Sequence, residues 1–191
     1  MQRIATLAAA SLLALSASAS AQSNPQVRDG FTISFGLGGG SAALSCPGCG
    51  SPPRETGFSG YLRLGGAIRP NLVLAAESNG WSKSIDGVEV QMGTLAGVAQ
   101  WYPSVANGFY VKGGLGLSVY SEADPTAKAE ALGLGYQFGT GYDIRLARNF
   151  SLTPYVNFLG MADSDVKVDG TSMNQKIGTS NMQYGIGFTW H

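Results

Sequence analysis

The sequence predicts an all-β protein, an eight-stranded antiparallel up-and-down barrel that crosses a membrane with its strands. The first observation is a period of two in segments such as ALGLGYQFGTGYDIRL (131–146), where bulky apolar side chains alternate with glycine or polar groups. Successive side chains of a β-strand point to opposite faces, so this period indicates a strand with two different faces. The second observation is that tight turns alternate with longer or more polar connections, as in membrane barrels.

The beginning of the chain predicts export. Arg3 precedes the apolar run IATLAAASLLAL (4–15), and small residues follow up to Ala21, a pattern suited to cleavage there. The apolar run is shorter than a membrane-spanning helix requires, so residues 1–21 are interpreted as a signal peptide. We expect residues 22–191 to form one barrel domain.

The composition excludes several classes of protein. The formal net charge is +0 and only 13% of the residues are charged, whereas nucleic-acid binding needs a basic face. The 28 glycines do not recur at every third position, which excludes collagen. After the first 21 residues no apolar run is long enough for a membrane helix.

Eight segments are predicted as strands. Six of them alternate bulky and small or polar side chains, and the third and fourth, which alternate less cleanly, are included because a hairpin signal joins them. The third and fourth are joined by Asp86-Gly87, a pair that favours the positive φ angles of a type I′ hairpin turn. The segments are 31–38, 58–69, 72–84, 88–102, 109–119, 131–146, 150–158 and 182–190. The tight turns are 69–71, 104–108 and 147–149; the other connections are 45–56, the Asp86-Gly87 turn, 121–129 and 162–179.

The two faces predict the orientation of the barrel. The bulky face is expected to contact lipid, and the glycine-rich face to line a lumen just wide enough for side chains to fill. Closure pairs all backbone donors and acceptors, which hydrocarbon requires. A soluble lipocalin-like barrel is the alternative in which the apolar face would line a ligand cavity.

Aromatic residues are predicted to form two girdles at the membrane interfaces, because their rings suit the headgroup zone. They lie near the turns or loops at the ends of the strands. The predicted interface residues are Phe31, Trp81, Trp101, Tyr102, Phe109, Tyr120, Tyr142, Phe150 and Trp190.

With its signal peptide, eight alternating strands and aromatic-rich end MQYGIGFTWH, the chain resembles the small outer-membrane barrels of the OmpA/OmpX type. The resemblance implies a monomer in the bacterial outer membrane, with both termini in the periplasm and with lipid and lipopolysaccharide around it. Such chains typically end on an aromatic residue that the barrel-assembly machinery recognises. This chain departs from that pattern by one residue, because His191 follows Trp190. Pro154 cannot donate to a strand ladder, so we expect a bulge or a missing bond there.

Charged residues on the small-residue face predict ion pairs inside the barrel. Arg63 and Glu77 each lie seven positions from Pro70 and should oppose one another across one hairpin. Lys112, Asp143 and Arg145 are expected to face inward nearer the periplasmic end, and Glu89 is a further candidate. These charges are interpreted as a static polar core that fixes the register, or as a gate whose ion pairs exchange partners.

Two loop motifs are interpreted as structural features. Cys46 and Cys49, in CPGC, are predicted to form a disulfide because the chain is exported. Asp163, Asp165 and Asp169 lack the spacing of a calcium loop, and Asp169-Gly170 favours a hairpin turn that carries the last two strands above the membrane. No metal site and no cofactor are predicted.

Catalysis is the least favoured function. Outer-membrane barrels include lipid A acyl-modifying enzymes and proteases, and resemblance to either calls for a histidine near a serine or carboxylate. The only histidine is His191, the last residue. We therefore expect a non-enzymatic scaffold that displays loops for envelope integrity or surface contact; a narrow gated pore for ions or small solutes is the alternative.

Overall fold

The structure, a computed structural model, describes residues 28–46, 53–85, 87–123 and 127–191. No helix in these ranges is long and apolar enough to cross a membrane. The described residues form nine strands: β1 (Gly30–Ser45), β2 (Glu55–Arg69), β3 (Leu72–Ile85), β4 (Val88–Trp101), β5 (Phe109–Ala123), β6 (Lys128–Tyr142), β7 (Ile144–Ala147), β8 (Phe150–Val168) and β9 (Thr171–Trp190).

The strands form one closed antiparallel sheet. Neighbours in sequence pair along the sheet, β1 pairs with β9, and β6 pairs with β8, which closes the ring. The short β7 continues the line of β6 and pairs with the start of β8. The nine strands therefore make an eight-stranded barrel, and the predicted fold class is confirmed.

The interruption between β6 and β7 lies beside Pro154. Gly141 is the last β6 residue paired with β8, opposite Tyr155, and pairing resumes at Ile144, opposite Leu152. Proline has no N–H to donate, so a ladder that includes Pro154 loses a bond at this level. On the other side of β8, Pro154 still pairs with Ile186. The expected local break is confirmed.

The two faces of the barrel differ as the alternation predicted. Leu115 and Leu132 on the outer face are 65% and 61% exposed, whereas Glu77 and Gln183 on the inner face are 0% exposed. This is the reverse of a lipocalin, whose apolar face would line the interior. An apolar surface this extensive needs lipid or detergent around it.

The last two strands continue beyond the predicted segments 150–158 and 182–190. Residues 162–179 were expected as a longer connection in which Asp169-Gly170 forms a hairpin turn that carries these two strands above the membrane; the structure has this hairpin. Asp169 and Gly170 both have positive φ, 47° and 81°, as a type I′ turn requires. The apolar alternation of the outer face ends near residue 161, because most outward side chains of the hairpin beyond that level are polar; Val166 and Ile177 of the hairpin are buried inside the barrel.

Replacing Gly170 with valine is expected to lower the free energy of unfolding by roughly 1–2 kcal/mol, because a β-branched residue resists the left-handed region. Urea unfolding in detergent micelles measures the change. Thr171→Val, next to the turn in a strand, is the matched control and should leave stability within about 0.5 kcal/mol. Equal losses in the two variants would contradict the turn assignment.

Candidate functional site

The centre of the lumen contains a carboxylate held between two cations. Glu77 on β3 pairs in register with Arg63 on β2, and Arg63 Nε lies 3.6 Å from Glu77 Oε2. Lys112 on β5 reaches the same carboxylate, with Nζ at 2.6 Å from Oε1 and 2.7 Å from Oε2. All three side chains are buried.

The β2–β3 turn places the Arg63–Glu77 pair. Arg63 and Glu77 oppose one another across this hairpin, so their inward side chains lie side by side. Lys112 comes from a strand that does not pair with β3, so its contact with Glu77 depends on the small radius of the barrel. Asn79 Nδ2 adds a hydrogen bond of 3.0 Å to Glu77 Oε1.

Arg63 is also fixed by groups other than Glu77. Its Nη1 donates to Gln100 Oε1, and its Nη2 donates to Ser34 Oγ at 3.2 Å. The guanidinium carbon lies 5.3 Å from the ring centre of Tyr61 and 5.6 Å from that of Tyr110. Together with the Glu77 pair, these contacts connect five strands through one side chain, and they place several buried side chains in the centre of the lumen.

Asp143 organises a second group of polar contacts at the end of the lumen near the chain termini. Its Oδ2 accepts from Tyr102 Oη at 2.7 Å, and its Oδ1 accepts from Thr153 Oγ1 at 2.8 Å. The Arg28 guanidinium lies 3.5 Å from the centre of the Tyr102 ring and donates through Nη2 to Asn107 O at 2.7 Å. Arg28 thus covers this end of the lumen.

The lumen carries more positive than negative charge among the described residues. The buried cations are Arg28, Arg63, Lys112 and Arg145, and the buried carboxylates are Glu77 and Asp143. The structure therefore brings Arg63, Glu77 and Lys112 into one cluster, with Asp143 and Arg145 nearer the chain termini. Arg145 Nη1 donates to Arg148 O at 3.1 Å. Glu89, the further candidate, is exposed and accepts from Gln91 instead.

His191 follows β9 and lies beside Asp143, with Nε2 at 3.6 Å from Oδ2. Burial lowers the pKa of His191 to about 4, although the Asp143 carboxylate acts in the opposite direction. The unfolded chain, with an ordinary histidine pKa near 6.5, then binds a proton that the folded chain does not. Neutral His191 is therefore the state that fits the fold.

Stability is expected to fall as the pH drops from about 6.5 to about 4, with a slope of up to roughly 1.4 kcal/mol per pH unit from this group. Above about pH 6.5 the contribution of His191 to this pH dependence vanishes. Unfolding free energies across pH, compared between the wild type and His191→Asn, measure the difference. Parallel pH curves for the two proteins would refute this role of His191.

Three of the predicted interface aromatics are inside the barrel instead. Trp81, Tyr102 and Tyr120 are 3%, 1% and 4% exposed. Trp81 Nε1 donates to Gly40 O at 3.1 Å, and Tyr120 Oη donates to Glu122 Oε2 at 2.7 Å. Trp81 and Tyr120 occupy inward-facing positions of their strands, and Tyr102 directly follows β4. The polar atom of each side chain therefore forms its hydrogen bond within the protein rather than with lipid headgroups. The interface prediction is wrong for these three.

The other predicted interface aromatics do lie on the outer face. Phe31, Trp101, Phe109 and Trp190 are exposed, and Tyr142 and Phe150 are half-buried. Phe150 stacks on Phe188, with ring centres 5.6 Å apart, and contacts Trp190 at 4.7 Å. This aromatic group is at the end of the barrel where the chain ends.

The opposite end of the lumen is apolar, which the sequence analysis did not anticipate. The cluster of buried side chains there, called the apolar plug below, comprises Tyr120, Ala131, Met161, Val166 and Ile177. Its strands are β5, β6, β8 and β9, and Leu44 of β1 packs against it. The sequence contains a signal for the apolar plug, because the inward-facing residues of these strands change from polar to apolar beyond the centre of the lumen.

The cysteine motif lies partly outside the described residues. Cys46 ends the described part of the first segment, and Cys49 lies outside the described residues, so the disulfide stays a prediction. Within the described ranges, no group of three or more histidine, cysteine, aspartate or glutamate side chains could hold a metal ion.

Comparison with known proteins shows the fold. No protein-family model and no curated protein sequence matches the chain. Neisserial surface protein A is similar in structure, with a TM-score of 0.60 and 15% identity over 84% of this chain and 96% of that one. Ail, the attachment invasion locus protein of Yersinia pestis, in complex with the heparin analogue sucrose octasulfate, has a TM-score of 0.53 and 10% identity over 83% of this chain and 99% of that one. The chain has the fold of the small eight-stranded outer-membrane β-barrels.

Proposed function

We propose that the protein is a non-enzymatic scaffold of the bacterial outer membrane that holds surface hairpins in place. The observation that carries the proposal is that Arg63, Glu77 and Lys112 meet at the centre of the lumen. The apolar plug occupies the lumen at a second level. A barrel with a filled interior is a rigid support rather than an open channel.

The membrane location rests on the outer face and on the start of the chain. The outer face is a continuous apolar band, which hydrocarbon accommodates and water does not. The predicted signal peptide supports export, and the fold supports insertion by the barrel-assembly machinery, with both termini in the periplasm. Lipid and lipopolysaccharide would then surround a monomer.

Surface contact is the role proposed for the long β8–β9 hairpin. The hairpin is placed at the end of the barrel away from the chain termini, and it carries the exposed Lys167, Met173 and Lys176. The similar structures include a surface protein and an attachment protein, which supports this role. Binding to host cells that survives replacement of 162–179 by a short turn would contradict it.

A narrow gated pore is the second candidate, and the position of Glu77 favours it. The carboxylate lies between Arg63 and Lys112. It could therefore release one of these cations while it stays paired with the other, and this rearrangement could open a path. The excess of buried cations would make such a path favour anions.

Planar-bilayer recordings distinguish the two functions. The scaffold predicts no conductance steps from the wild-type protein, and none from Lys112→Gln. Steps in the wild type that change in size or frequency in Lys112→Gln would support the pore and contradict the scaffold. Lys83→Gln, which alters an ion pair outside the closed centre of the lumen, is the control and should leave any steps unchanged.

A further inference from the structure

A small cavity lies in the lumen between the Glu77 cluster and the apolar plug. Its volume is about 10 Å³, roughly the room that one water molecule needs. It is bounded by Asn79 and Thr94 on one wall and by Thr179, Asn181 and Gln183 on the opposite wall. Asn79 is two positions from Glu77 on the same strand, and Met161 of the apolar plug pairs with Thr179. The cavity is therefore between the two closures.

Three amide oxygens around this cavity have no hydrogen-bond partner among the described residues. They are Asn79 Oδ1, Asn181 Oδ1 and Gln183 Oε1. The three side chains are 4%, 5% and 0% exposed. A buried polar atom without a partner costs roughly 1–3 kcal/mol, so three around one cavity need an explanation.

The hydrogen-bond network fixes two of these amides in orientation. Asn79 Nδ2 donates to Glu77 Oε1 at 3.0 Å and to Gln137 Oε1 at 2.8 Å, and the Glu77 carboxylate can only accept. Gln183 Nε2 donates to the carbonyl oxygen of Gly80 at 3.1 Å. A reversed amide would face acceptor with acceptor, so the oxygen ends are the unpaired ends.

We propose that this cavity is a binding site for a single buried water molecule, which donates its two hydrogens to amide oxygens of Asn79, Asn181 and Gln183. The occupant must be a donor because the unpaired atoms are acceptors. Water fits the volume and has the two to four polar partners that buried water requires. A metal cation is disfavoured, because none of the described residues that line the cavity is a carboxylate, and the Glu77 carboxylate below it is already paired with Lys112 and Arg63.

The site places one water molecule in the middle of the lumen. The Glu77 cluster lies between it and one end of the barrel, and the apolar plug lies between it and the other. The inference holds whether or not the barrel conducts, so its tests do not depend on the proposed function.

A crystal structure that resolves ordered water tests the occupant. The expected result is one solvent peak within hydrogen-bond distance of at least two of the three amide oxygens. Crystals grown in rubidium chloride distinguish water from a monovalent cation, because rubidium scatters anomalously. An empty cavity, or an anomalous peak in it, would overturn the proposal.

The sign of a stability change gives a second test. Asn181→Leu removes one acceptor of the water, so the urea midpoint in micelles is expected to fall as the other oxygens lose their donor. Met92→Leu changes an apolar residue of the same cavity at similar volume and should leave the midpoint nearly unchanged. A midpoint that rises in Asn181→Leu would mean that the oxygens face an empty space, and would overturn the proposal.

Discussion

Glu77→Gln is expected to lower the free energy of unfolding by about 3–5 kcal/mol, because it leaves buried cations without their counter-charge. Lys112 Nζ lies 2.6 Å from one oxygen of this carboxylate, and Arg63 Nε lies 3.6 Å from the other. Neither cation has access to solvent in the folded barrel. Urea unfolding in lipid vesicles measures the loss.

Two further variants identify the cause of this loss. Glu55→Gln breaks the ion pair between Glu55 and Lys83, whose side chains are 40% and 30% exposed. Because this pair is partly exposed, its loss should lower the free energy of unfolding by no more than about 1 kcal/mol. The double variant Glu77→Gln, Lys112→Met removes one of the two charges that the single variant leaves unpaired, so it should recover part of the loss. Equal losses from Glu55→Gln and Glu77→Gln would contradict the buried cluster.

Leu134→Arg is expected to lower the free energy of unfolding in lipid vesicles by about 2–4 kcal/mol, the cost of a basic residue near the bilayer midplane. Leu134 is central in β6, is 58% exposed on the outer face and lies opposite Leu117. Met173, 43% exposed on the hairpin beyond the apolar band, is the matched control. Met173→Arg should change stability by less than about 0.5 kcal/mol, and a similar value for Leu134→Arg would contradict the lipid-facing orientation.

The main features of the fold follow from local patterns. A period of two predicts strands, and the short turn at Pro70 fixes the register that opposes Arg63 and Glu77. Gly87 has the positive φ of 86° expected of its turn. These features could be predicted because each depends on residues close together in the chain.

The contacts of Lys112 could not be predicted in the same way. Lys112 and Glu77 are on strands that do not pair, and their contact depends on how tightly the barrel curves. The same holds for Arg28, which lies just before β1 and reaches Tyr102. Trp81 and Tyr120 are a different case. Their places in the alternating pattern predicted inward side chains, whereas their positions near the strand ends favoured an aromatic girdle.

The central claim is that the apolar face of this barrel is built to contact hydrocarbon around a closed polar lumen. Folding of the chain that begins at Gln22, with and without lipid vesicles, tests it most directly, with circular dichroism for strand content and sedimentation for the size of the particle. We expect a folded monomer only when lipid or detergent is present. A folded monomer in plain buffer would contradict the claim.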